Sequence, residues 1–128
     1  GVTIFINEDA VNVVDDQNGL LSNSVKKIVC DSHGNYYIGT SEALSVVSLS
    51  GGVKVTKTFK NIKNVVSMTA DDKGNVVGVT ERGEVFWVRD GKIINTPKGI
   101  SRFKDCNEVC FLKDGQLYGD NRKFNIHI

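Results

Sequence analysis

The sequence predicts an all-β fold of repeated four-stranded antiparallel sheets, on three observations. The chain repeats itself: "DSHGNYYIGT" from Asp31 returns forty positions later as "DDKGNVVGVT" from Asp71, and a fixed period of roughly 20 to 50 residues marks stacked structural repeats. Short runs rich in Val, Ile, Tyr, Phe and Thr alternate with Gly, and Pro occurs once in 128 residues, which favours strands and tight turns. No segment carries a sustained apolar stripe at i, i+3, i+4, i+7 behind a cap, so almost no helix is expected.

Each period divides into four strands. The first gives Val25 to Cys30, Asn35 to Thr40, Leu44 to Leu49 and Val53 to Thr58; the second gives Val65 to Ala70, Asn75 to Thr80, Glu84 to Val88 and Lys92 to Asn95. The loops "DSHG" and "DDKG" join the first two strands of each. Asp31 and Asp71 can accept backbone N–H groups inside the turn, and Gly34 and Gly74 can take the positive φ that closes it. Runs such as "LSVVSL" and "VFWV" are apolar on both faces, as strands covered on both sides must be. A third, eroded period follows: Glu108 to Leu112, a turn at Asp114 and Gly115, Gln116 to Gly119, and Lys123 to Ile128. Ahead of the first period, Val2 to Ile6 and Ala10 to Val14 read as the last two strands of a preceding unit. Four short antiparallel strands per forty residues is the size of a β-propeller blade. The expectation is therefore one domain over 1–128, an incomplete propeller of about three blades: 1–18 ends a blade, 19–60 and 61–98 are blades, and 99–128 is a partial one. The chain is expected to start and stop inside blades.

Composition narrows the function. With 40% hydrophobic residues, 24% charged residues and a net charge of +1, the chain reads as an ordinary globular domain. Nucleic acid is not expected as a partner, because phosphate binding needs many Lys and Arg on one face. The densest basic stretch, Lys98, Arg102 and Lys104, is followed by Asp105 and reads as a solvated loop. No apolar run approaches the roughly 18 residues that span a bilayer, and "GVTIFINEDA" lacks the build of a signal peptide. Cys30, Cys106 and Cys110 have no CxxC spacing and no nearby His pair, so they are expected to be buried free thiols on strands. Cys106 and Cys110 cannot bridge along one strand, where residues four apart lie about 13 Å apart.

The segment "GLLSNSVKKIVCDSHGNYYIGTSEAL", Gly19 to Leu44, resembles the two-component regulator propeller repeat. That pattern wants the residues found here at Gly19, Leu20, Asn23, Val25, Ile28, Asp31, Gly34, Asn35, Ile38, Gly39, Thr40 and Leu44. The second period keeps Asp71, Gly74, Asn75, Thr80 and Gly83. Tyr37 and Val77 stand where the family has Trp, and Ala43 where it has Gly. The resemblance implies a periplasmic or extracellular sensor module of a bacterial two-component receptor, with glycans as the ligand class and the membrane reached only through a parent receptor.

Residues for chemistry are sparse. His33 in a hairpin turn and His127 near the end are expected to be ordinary surface or packed residues, and no nucleophile with a partnering base is legible. Asp15 and Asp16 do not complete a calcium loop, which would need acids where Val14 and Val25 stand. No metal ligands and no cofactor are therefore expected. Trp87, Tyr36 and Tyr37 are expected to pack between blades and not to serve as sugar platforms. In a propeller the second-to-third-strand turns and the blade-to-blade links share one face, so Asn23, Glu42, Lys60, Lys63, Glu81, Arg82 and Arg102 should crowd a common polar rim. The expected function is a non-catalytic ligand-sensing module that self-associates through its open blade faces, either with each chain's N-terminal strand, Ala10 to Val14, completing the last blade of a second copy or, for a piece of a longer propeller, in some other way. The alternatives are a fragment of a carbohydrate-acting propeller enzyme and a protein–protein interaction scaffold.

Overall fold

The computed structural model describes the backbone of residues 2–6, 9–14, 17, 19–48, 54–94, 109–111, 116–119 and 122–127, and the side chains of 2, 17, 19–48 and 54–94. A first hairpin pairs β1 (Val2–Ile6) with β2 (Asp9–Val14). The first blade follows, with β3 (Val25–Cys30), β4 (Asn35–Thr40), β5 (Leu44–Ser48) and β6 (Lys54–Phe59). The second has β7 (Val65–Ala70), β8 (Asn75–Thr80), β9 (Val85–Arg89) and β10 (Lys92–Ile93). Last come β11 (Val109–Phe111), β12 (Gln116–Gly119) and β13 (Arg122–His127). All pair antiparallel in sequence order, as sheets of two, four, four and three strands, and the described residues contain no α-helix.

The repeat extends to atomic detail. Asp31 Oδ1 accepts the N–H groups of His33 and Asn35, both at 2.9 Å, and Oδ2 accepts Asn35 Nδ2 at 3.0 Å. Asp71 does the same with Lys73 and Asn75. Gly34 and Gly74 close these turns at φ of 83° and 86°. Both first hairpins carry a register shift at the same place, between Val25 and Lys27 and between Val65 and Ser67. A β-bulge turns a strand and sharpens its twist, so each blade leaves its inner strand with the same bend.

The third strand of the second blade begins at Val85, one residue later than an even forty-residue spacing predicts, and the cause is the preceding turn. Thr40 N–H donates to the Ala43 carbonyl, whereas Thr80 N–H reaches one residue further, to Glu84. The extra residue is accommodated by Gly83 at φ 79°. From there the two blades align with an offset of forty-one, which sets Phe86 at the position of Ser45. The exchange is compensated in volume: Ser45 pairs with Ile38, while Phe86 lies over Gly78, a residue with no side chain to meet it.

The blades join through their faces. Tyr37, Leu44, Val46, Phe59 and Ile62 of the first blade and its exit pack against Val65, Val76, Phe86 and Val88 of the second. On the opposite face of the first blade, Leu20, Ile38 and Val47 form a second cluster joined by Val2, Tyr36 and Val55. Both faces of β4 and β5 are thus buried, and each fully buried Val, Leu or Phe contributes about 1.5–3 kcal/mol. The first strands of successive sheets are neighbours, β3 beside β7 and β7 beside β11. Inner strands following one another around a centre, with outer strands splayed away, define successive blades of a β-propeller.

One expectation is corrected. Cys30 is exposed and free, its thiol donating to the Asp31 carbonyl at 3.3 Å. The inner strand β7 has β3 against one face and β11 against the other, whereas β3 meets β7 on one face. Its residues Lys26, Ile28 and Cys30 face away from the seam and are exposed, while Val29 packs against the seam core. Strand propensity does not say which faces a neighbouring sheet covers. Cys106, Asp15, Asp16 and Arg102 lie outside the described residues, as do the side chains of Cys110 and His127.

Candidate functional site

At the end of the blades where β4 turns into β5, backbone hydrogen bonds stitch three loops into a continuous rim. Ser41 N–H donates to the Ser24 carbonyl, and the Ser22 and Ser41 hydroxyls lie 3.1 Å apart. Asn64 N–H then donates to the Thr40 carbonyl of the preceding blade, and the Asn64 carbonyl accepts from Glu81 N–H. Asn64 makes this double link at φ 55°, a left-handed conformation that Asn tolerates better than most residues. The turns are braced by threonines: Thr40 Oγ1 accepts the N–H groups of Glu42 and Ala43, and Thr80 Oγ1 accepts that of Glu84.

Between the link and the second turn the rim opens into a cleft of about 480 Å³, lined by Asn61, Lys63, Asn64, Thr80, Glu81, Arg82 and Glu84. Two cations and two anions share it with amides and a hydroxyl, so the lining is polar and close to charge-balanced. A smaller cavity of about 140 Å³ adjoins it through Asn61, Thr80 and Glu84 and adds Phe86, Trp87 and Ile93 as apolar wall. A polar cleft backed by an aromatic wall can hydrogen-bond a ligand's hydroxyl groups while covering its apolar face.

Of the rim residues expected from sequence, Lys63, Glu81 and Arg82 line the cleft. Asn23, Glu42 and Lys60 are exposed on neighbouring segments of the same end without lining it. Asn61, Asn64, Thr80 and Glu84 were not singled out. The Asn64 position could have been found from its place directly before the first strand of the repeat. The aromatic residues pack as expected at Tyr37 and Tyr36. Trp87 is half-buried: its Nε1 donates to Asn75 Oδ1 at 2.9 Å and the Arg89 guanidinium sits 5.3 Å from its ring.

The opposite end of the same seam carries a second group. His33, in the first turn of the first blade, approaches Asp90, in the β9–β10 turn of the second, with Nδ1 2.8 Å from Oδ1. The hydrogen bond to Asp90 and its negative charge raise the His33 pKa above 6.5, with smaller contributions from Asp31 and Asp71. Tyr37 is fully buried, and among the described residues no atom meets full hydrogen-bond geometry with its hydroxyl, although the Gly91 backbone approaches it. Burial, together with the charges of Asp31 and Asp90, pushes the Tyr37 pKa up.

Stacked four-stranded blades with a polar rim define the class, a β-propeller-type module. Within it, residues 19–42 match the family described as Two component regulator propeller, the segment that runs into the first blade and through its Asp31–Gly34 hairpin. No curated protein matches the chain.

Proposed function

We propose that the protein is a non-catalytic ligand-binding module and that the rim cleft between the blade-to-blade link and the second blade's Thr80–Glu84 turn receives the ligand. The cleft itself is the observation that carries this reading, because its lining sets two amides and a hydroxyl beside two cations and two anions. Such a lining suits a polyhydroxyl ligand, and the match to the two-component regulator propeller repeat supports a part of a two-component system, which we take to sense glycans outside the cytoplasm. Self-association through the blade faces belongs to this reading and is to be read as a dimer by light scattering.

Thermal-shift and calorimetric titration against a panel of neutral and acidic oligosaccharides tests the site. A binder at about 100 times its dissociation constant stabilises by about 2.7 kcal/mol. Asn64→Gly is the decisive variant, since glycine keeps the left-handed backbone link and removes only the side chain from the cleft. Weakened binding with unchanged stability supports the assignment; binding indifferent to Asn64→Gly, Lys63→Ala and Arg82→Ala removes the ligand from this cleft. Glycan cleavage that disappears in Glu81→Gln or Glu84→Gln would make the protein an enzyme instead.

A further inference from the structure

At the end of the seam away from the cleft, Asp31, His33 and Asp90 each offer one ligating atom, and these atoms all lie within 4.8 Å of one another. Two ligands of one tetrahedral ion, each about 2.0–2.2 Å from it, stand about 3.3–3.6 Å apart. Side-chain adjustments of up to about an ångström would therefore close the three onto one ion. Asp31 keeps capacity for this: its turn uses two acceptor directions of Oδ1 but one of Oδ2. Asp90 uses Oδ1 toward His33 and sits in a turn of its own at φ 49°.

The second blade shows that the turn does not need these groups. Its hairpin makes the same three bonds from Asp71 with Lys73 in the place of His33, and Val77 occupies the place of Tyr37. The first seam alone among the described residues combines an imidazole, two carboxylates and a buried phenol. That phenol is the independent sign of a missing partner. Tyr37 is wholly buried, its hydroxyl meets no partner at full hydrogen-bond geometry among the described residues although the Gly91 backbone approaches it, and the charges of Asp31 and Asp90 act on it. A buried polar atom without a partner calls for an unseen water or ion.

We propose that Asp31, His33 and Asp90 form a divalent transition-metal site clasping the first blade to the second, with the Tyr37 hydroxyl at its buried edge bonding a metal-held water. One imidazole with two carboxylates suits zinc or a neighbouring first-row ion better than calcium, which takes six to eight oxygens. The ion would tie residues fifty-seven apart in sequence and oppose separation of the blades.

Zinc titration of the chelator-treated protein, by calorimetry and by thermal shift, tests the site. The expected result is one ion per chain with a rise in melting temperature. Affinity should fall at least about tenfold in His33→Asn and in Asp90→Asn. Tyr37→Phe should weaken the zinc-induced thermal shift without lowering the stability of the metal-free protein. Cys30→Ser should bind as the parent does, which excludes the adjacent thiol as the ligand. Absence of binding below millimolar zinc, or binding that survives His33→Asn and Asp90→Asn, overturns the proposal, as does binding lost in Cys30→Ser alone. Circular dichroism of each variant confirms that exposed turn substitutions leave the fold intact.

Discussion

Gly34 and Gly74 do the same job in two turns, yet their surroundings differ. A side chain at Gly34 would meet nothing within 4 Å, so Gly34→Val costs only the left-handed strain, about 1–2 kcal/mol. A Cβ at Gly74 would stand 2.6 Å from the His33 ring and 3.3 Å from Asp90 Oδ1. Urea melts should therefore show a larger loss for Gly74→Val than for Gly34→Val, and equal losses would contradict the placement of His33 over the second turn. His33 itself is open to measurement. In metal-free protein its imidazole should titrate above 6.5 by NMR, and Asp90→Asn should bring it back down. A raised folded-state value means that the contact stabilises fully below pH 6.5 and is lost as pH rises through the raised value. Both side chains are about half exposed, so the effect on stability is small.

Between blades, the controlling elements are the close approaches of strands. Gly39 on β4 admits the Val65 side chain of β7, and a Cβ there would stand 3.0 Å from Val65 Cβ. Since β7 is held by its own pairing with β8, it cannot retreat without disturbing the seam core. Gly39→Ala should destabilise the protein, and Gly39→Ala with Val65→Ala should recover part of the loss, giving a non-additive double-mutant cycle. Strict additivity would show that these two strands do not meet. The glycine that the repeat pattern places before Thr40 thus has a packing cause, the entry of the next blade.

Across the whole molecule, protection should follow burial. Every residue of β8 is buried, as are the last four of β4 and the first four of β5, whereas β3 is mostly exposed and β10 wholly so. Amide hydrogen exchange should be slowest in β4, β5 and β8 and fast in β10. Uniform protection across all four strands of the second blade would contradict that gradient. Tyr37, Val46, Phe59, Val76 and Phe86 belong to one cluster drawn from both blades, so the two should unfold together; Phe86→Ala, at about 3–5 kcal/mol, should lower the melting of both.

Much of this was legible in order of residues because its causes are local. An Asp that binds the N–H groups two and four residues on, and a Gly that takes positive φ, act within five positions, so the hairpins at Asp31 and Asp71 and the strands flanking them were readable directly. Doubly apolar runs announced burial on both faces. The shift at Val85 escaped because one added residue in a turn changes which carbonyl Thr80 reaches, and periodicity alone does not count it. Other features belong to the packing of one sheet on another. The cleft draws Asn61 and Asn64 from a link and Glu84 from a turn, and their meeting depends on the backbone bonds that tie Asn64 to Thr40 and Glu81. Cys30 is exposed because it lies on the face of β3 turned away from β7, whereas β7 has β3 against one face and β11 against the other, a property of neighbours and not of the strand. His33 and Asp90 come together only because two turns at opposite ends of the sequence repeat fall on the same end of the seam, where the stacking of the blades, and no local propensity, closes a distance of fifty-seven residues.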